Sequence, residues 1–139
     1  MDVRFTVRDD GQVDAALIGD WDLFNEALGD SISSLPPRGA AGAGPSTYWI
    51  DVARQGALRA REANDDRPFT GGNITLLRMT GGRVEARYDF ADEDEAGQFM
   101  DFDDFVSLLA EWRMRVEARA GTSDSPLPET YRRNPAASA

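Results

Sequence analysis

The segment NITLLRMTGGRVEARYDF, residues 73–90, leaves few folding choices. Apolar and polar residues alternate on both sides of Gly81-Gly82, and a Gly-Gly pair between two such runs specifies a two-residue hairpin turn. The implied cross-strand pairs are Met79 with Val84, Leu77 with Ala86 and Thr75 with Tyr88. On the opposite face Arg78 meets Glu85, which reads as an exposed ion pair contributing about 0.5 kcal/mol. VRFTVRDDGQVDAAL gives a second hairpin. Val3, Phe5 and Val7 pair with Leu17, Ala15 and Val13, which leaves Asp9, Asp10 and Gly11 as the loop. Gly11 falls where a three-residue hairpin loop needs a left-handed residue.

Three stretches have helical periodicity. In DWDLFNEALGDSISSLPP, Asp20 is a plausible N-cap, and Trp21, Phe24, Leu28 and Ile32 share a stripe. Gly29 weakens the second half, so the helix is expected to stop near Leu28; Pro36 and Pro37 end it. STYWIDVARQGALRAREANDD is capped by Ser46 or Thr47. It presents Trp49, Val52, Ala53, Gly56, Ala60 and Ala63 on one face, small enough to approach a neighbouring element closely, while Leu58 points away. DFDDFVSLLAEWRMRVEARAG has the stripe Phe105, Leu108, Leu109, Trp112 and Val116, with Asp101 as N-cap and Asp103 and Asp104 in the first turn. Its arginines lie near the C-terminus, as the helix dipole favours, and Met114 faces away from the stripe. PPRGAAGAGPST reads as a connecting loop.

The order ββ-α-α-ββ-α predicts an α+β domain. Neither hairpin can bury its apolar face alone, so the expectation is an antiparallel sheet built from both hairpins, with three helices on one face. Residues 1–120 form this single domain, and 121–139 form a tail that is mobile or draped over the body. The hydrophobic content, 41%, supports a core in a chain of 139 residues. No apolar run reaches the ~20 residues of a membrane span. The start MDVRFTVRDD lacks the apolar region of a secretory signal, so a cytoplasmic location is expected.

Composition narrows the chemistry. The chain has no cysteine, histidine or lysine, and all 15 of its basic residues are arginine. Disulfides, thiolate nucleophiles, imidazole bases, Schiff-base lysines and cysteine zinc sites are therefore excluded. An enzyme would have to rely on carboxylates, hydroxyls, tyrosine and arginine, so the expectation is a binding protein with no catalytic residues, no cofactor and no metal. The formal net charge of -10 repels nucleic acid and anionic membranes and favours a cationic partner.

The charge concentrates in YDFADEDEAGQFMDFDDF, residues 88–105, with eight carboxylates, five aromatics and no basic residue. Asp92, Asp94, Gly97 and Asp103 fall at positions 1, 3, 6 and 12 of a calcium-loop pattern. The match is poor, because Ala96 stands at position 5 and the last ligand should be a glutamate. A glycosidase-like carboxylate pair would need convergence that the pattern does not show. Asp101, Asp103 and Asp104 are accounted for by helix capping, and Phe102 and Phe105 by the core. Asp92, Glu93, Asp94 and Glu95 repel one another and do nothing for the fold. With Phe99 and Met100 as apolar anchors beside them, these six read as a partner-binding surface. Leu58 and Met114 are lesser candidates.

The stretch GGRVEARYDFADEDE leading into FDDFVSLLAEWRMRV, within about residues 73–119, resembles the immunity proteins of bacterial polymorphic toxin systems. The resemblance implies tight, stoichiometric inhibition of a cognate toxin. Such toxins are often nucleases or deaminases whose basic active-site surfaces an acidic inhibitor covers. Alternatives are an acidic adaptor that holds or delivers a partner and, disfavoured by composition, a carboxylate-based enzyme.

Overall fold

A computed structural model describes residues 2–37, 44–92, 95, 97–121 and 130–132. It is an α+β structure in which each expected hairpin forms in its expected register. β4 (Thr75–Thr80) and β5 (Arg83–Tyr88) pair Thr75 with Tyr88, Leu77 with Ala86 and Met79 with Val84. Gly81 and Gly82 turn the chain at φ +57° and +82°, a conformation that disfavours any residue with a Cβ. β1 (Val3–Val7) and β2 (Val13–Leu17) pair Val3 with Leu17, Phe5 with Ala15 and Val7 with Val13, and Gly11 closes the loop at φ +88°.

The hairpins do not join edge to edge. β3 (Pro68–Gly71) and β6 (Gln98–Asp101) flank the β4–β5 hairpin, so one sheet has the order β3-β4-β5-β6. The other sheet has the order β2-β1-β7, with β7 being Thr130–Arg132. Most of the tail expected to be mobile or draped lies outside the described residues. The outer edge of β2 is occupied by side chains rather than by another strand. Asn25 Oδ1 accepts from the Leu17 N–H at 2.7 Å and its Nδ2 donates to the Leu17 carbonyl at 3.0 Å. The Val13 N–H donates to Ser34 Oγ at 2.9 Å, and Trp112 Nε1 donates to the Val13 carbonyl at 2.7 Å. With these groups already satisfied, β2 gains little from a strand of the other sheet.

The helices fill the space between the two sheets. Their apolar sides meet Leu77, Met79, Val84, Ala86 and Met100 of the larger sheet and Val3, Phe5, Val13, Ala15 and Leu17 of the smaller. α1 (Asp22–Ala27) buries Phe24 and continues as a π-helical segment, Leu28–Ile32, that buries Leu28 and Ile32. The weakening expected at Gly29 is thus a change of winding, and Ser33, at φ +65°, ends the helix. The cap expected from Asp20 comes instead from a distant strand. Gln98 Oε1 accepts the Phe24 N–H at 2.7 Å, and its Nε2 donates to the Asp20 carbonyl at 3.2 Å.

α2 (Tyr48–Ala63) follows Thr47, and the Ser46 hydroxyl accepts the Tyr48 N–H at 3.1 Å. Its buried face is Ile50, Ala53, Gly56, Ala57 and Ala60, a rotation from the expected one. Trp49 and Val52 are only half-buried and Ala63 is exposed. β3 decides this. A Cβ at Gly56 would come within 3.0 Å of the Phe69 carbonyl, so Gly56 must face that strand. α3 (Phe102–Gly121) starts directly after β6 and buries the expected stripe Phe105, Leu108, Leu109, Trp112 and Val116.

The π-helical segment docks on the β3–β4 turn through one carboxylate. Asp30 accepts from the N–H groups of Asn73, Ile74 and Thr75 at 3.0, 3.1 and 2.9 Å and from the Thr75 hydroxyl at 2.7 Å. Burial favours the neutral acid, but the Thr75 hydroxyl and the three N–H groups outweigh it and hold the carboxyl below its ordinary range. A Cβ at Gly72 would fall on Asp30, so this turn tolerates no side chain there. Asp30→Ala should lower the unfolding free energy by about 2 kcal/mol, because it strands several donors to a charged group. Urea denaturation measures this; a loss below ~0.5 kcal/mol, the range of an ordinary surface substitution, would show that the turn does not depend on Asp30.

Candidate partner-binding surface

β5 is an interior strand, and Val84, Glu85, Ala86 and Arg87 are all buried. Val84 and Ala86 face the helices. Glu85 and Arg87 face the other side of the sheet, where a carboxylate can persist only if it is paired. Glu85 is 2% exposed. Its Oε1 accepts from Arg78 Nε at 2.8 Å and from the Thr80 hydroxyl at 3.1 Å, and its Oε2 accepts from Arg87 Nη1 at 3.1 Å. The Arg78–Glu85 pair, expected as an exposed contact, is therefore part of a buried network. Burial pushes the Glu85 carboxyl up, but hydrogen bonds from Arg78 and Arg87 outweigh it, and the net displacement is downward.

Arg87 carries this network into the acidic loop. Its Nη1 also donates to the Glu95 carbonyl at 2.8 Å, and its Nη2 donates to the Asp92 carbonyl at 2.8 Å. The loop main chain is thereby folded against the outer face of β5. Gly97 permits the close approach, since a Cβ there would fall on the Ala86 carbonyl and within 2.7 Å of Glu85 Oε2. With their carbonyls turned inward, Asp92 and Glu95 keep exposed side chains. None of the ion pairs among the described residues involves either carboxylate. Glu93 and Asp94 lie outside the described residues.

Phe99 and Met100 do not form the expected pair of anchors. Residues 98–101 are a strand, so neighbouring side chains point to opposite faces. Met100 turns inward opposite Val84 and is 3% exposed, which leaves it nothing to offer a partner. Phe99 is half-buried on the outer face, with the Arg83 guanidinium 4.3 Å from its ring centroid. The same strand draws the chain out straight across the middle of the calcium-loop pattern. Among the described residues no group of three or more acids is placed to hold a metal ion.

The exposed apolar group is one that the sequence reading passed over. Phe90 is 74% exposed and stacks on Tyr88, with ring centroids 5.1 Å apart and planes at 18°. The Tyr88 hydroxyl donates to Glu26 Oε2, and the resulting hydrogen bond, together with the Glu26 and Asp22 charges, holds the phenol above its usual range. The Asp89 N–H donates to the Ile74 carbonyl at 2.7 Å, which places exposed Ile74 beside the loop. Strand parity carries the signal: Val84, Ala86, Tyr88 and Phe90 follow one alternation, and Phe90 lies past the strand's end, where the sheet no longer covers it. Leu58 and Met114 are exposed as expected, but on α2 and α3. An open groove of about 460 Å³ lies at the Gly81–Gly82 turn, at the opposite end of the hairpin from Phe90, and Arg61, Asp65, Asp66 and Arg78 line it with mixed charge.

Arg87→Ala should cost about 3 kcal/mol by removing one member of a buried ion pair, and limited proteolysis should then cut within residues 89–97. Unchanged stability and an uncut loop would show that Arg87 does not hold it. Because the folded Glu85 carboxyl lies below its unfolded value near 4.5, its stabilising effect is complete above that pH and fades as the pH falls through the lower folded value. Unfolding of Glu85→Gln, followed from pH 7 down to pH 3, should therefore be weaker at neutral pH and flatter in acid than that of the parent; parallel curves would contradict this. The chain matches no protein-family model, no curated protein and no solved structure.

Proposed function

We propose that this chain is an immunity protein, a cytoplasmic inhibitor that binds a bacterial toxin of basic surface through its acidic β5–β6 loop. The observation that carries the reading is the buried Glu85–Arg87 network, which pins the loop's main chain at Asp92 and Glu95 and leaves those two carboxylates outside. A fold that only needed solubility has no use for a buried ion pair beneath its most acidic segment. A binding surface does, because a loop held in place loses less entropy on docking. The net charge of -10 acts at longer range and speeds encounter with a cation-rich face. Inhibition then follows from covering the toxin's active-site surface, without chemistry by the inhibitor. Among the described residues no helix is long and apolar enough to cross a membrane.

The direct test is co-expression with the toxin domain expected from the adjacent upstream gene. Growth should be restored, and the two chains should purify as an equimolar complex. Reversing Asp92, Glu93, Asp94 and Glu95 to arginine should slow association about tenfold or more at low salt and flatten its salt dependence. Full protection by the reversed variant with an unchanged association rate would overturn the electrostatic reading.

A further inference from the structure

We propose that the Tyr88–Phe90 stack is a seat for an arginine side chain of the basic partner. This rests on the acidic β5–β6 loop proposed above as the docking surface and names a group that docks at its start. Phe90 is the most exposed large apolar residue among those described, and its stack on Tyr88 leaves one ring face toward solvent. The platform is held from below, because the Tyr88 hydroxyl is bound to Glu26. Asp22 and Glu26 both act on that phenol, Asp89 adjoins Phe90 in the chain, and Asp92 follows two residues on. All four carboxylates are on exposed residues. An aromatic face among anionic side chains suits a cation that is planar enough to stack and carries donors at its edge. The guanidinium fits this better than the compact, strongly hydrated ammonium of lysine.

The chain uses the same contact internally. Arg61 lies 4.4 Å from the Phe102 ring centroid, Arg83 4.3 Å from Phe99, and Arg115 5.5 Å from Phe5. Among the described side chains no arginine lies over Phe90, the most exposed ring among them. The arginines whose side chains lie outside the described ones, Arg38, Arg132 and Arg133, are the internal competitors for this position.

The experiment follows the ring resonances of the full chain, labelled at phenylalanine and tyrosine, during titration with hexa-arginine amide, hexalysine amide and the neutral hexacitrulline amide. Hexa-arginine should shift the Phe90 and Tyr88 rings, hexalysine should bind more weakly, and hexacitrulline should leave them unmoved. Phe90→Leu, which keeps apolar area but loses the ring, should weaken hexa-arginine binding about three- to tenfold. The same variant should unfold like the parent, since the site is exposed. Asp92→Asn with Glu95→Gln should weaken both cationic peptides alike. If Phe90→Leu binds hexa-arginine as tightly as the parent while the acid variants do not, the seat is overturned and the acidic docking face stands. If hexa-arginine leaves the rings unmoved, or if Arg38→Ala, Arg132→Ala or Arg133→Ala shifts the Phe90 ring without peptide, the seat is likewise overturned. Failure of the toxin co-expression with these peptide results intact would overturn the inhibitor reading and leave the arginine seat in place.

Discussion

A carboxylate buried on the outer face of a sheet is the constraint around which the candidate surface is organised. Glu85 has lost its water, so it must hold Arg78, Thr80 and Arg87 in place of solvent. Arg87, charged and almost as deeply buried, has hydrogen-bonding capacity left over, and the carbonyls of Asp92 and Glu95 take it up. One ion pair therefore fixes the outer face of β5, the position of the Asp92 and Glu95 carbonyls and the outward direction of those two side chains. Gly97 belongs to the same arrangement, because any side chain there would displace the loop from Glu85.

The arginines explain how an acidic surface arises in a chain that also has many cations. Arg78 and Arg87 serve Glu85; Arg8 pairs with Asp14, and Arg113 with Asp51 and Glu117. Arg67 holds Asp65 down to a pKa of about 2. Arg61, Arg83 and Arg115 lie over aromatic rings. Positive charge is thus tied into intramolecular contacts over much of the molecule, while Asp89, Asp92 and Glu95 stand exposed in the same loop as the bare Phe90 ring. The field beyond the surface is set by the groups left over, and near Phe90 those groups are anionic.

Both hairpins were legible to the residue because their register is written locally, in alternation and turn glycines. The α3 stripe was legible for the same reason. The candidate site was legible only as a region. Asp92 and Glu95 are exposed, but Met100 is buried, because residues 98–101, which look in sequence like part of a charged turn, form a strand. Four residues carry too little periodicity to declare a strand, and β3 begins with a proline and does not alternate. Such edge strands take their identity from the strand they join. The cap on α1 was invisible for a related reason, since Gln98 is far from Phe24 in the chain.

Sequence alone settled the α+β class, the pairing within each hairpin, the buried stripe of the last helix and the acidic character of one loop. These follow from interactions between near neighbours, which recur with the period of the element. Only the tertiary structure decided that the hairpins occupy separate sheets, that α2 turns Ile50 and Ala57 inward, and that Phe90 rather than Met100 faces solvent. Those outcomes depend on which hydrogen-bonding edges and buried charges remain unsatisfied once the elements meet, and that depends on contacts between residues distant in the chain.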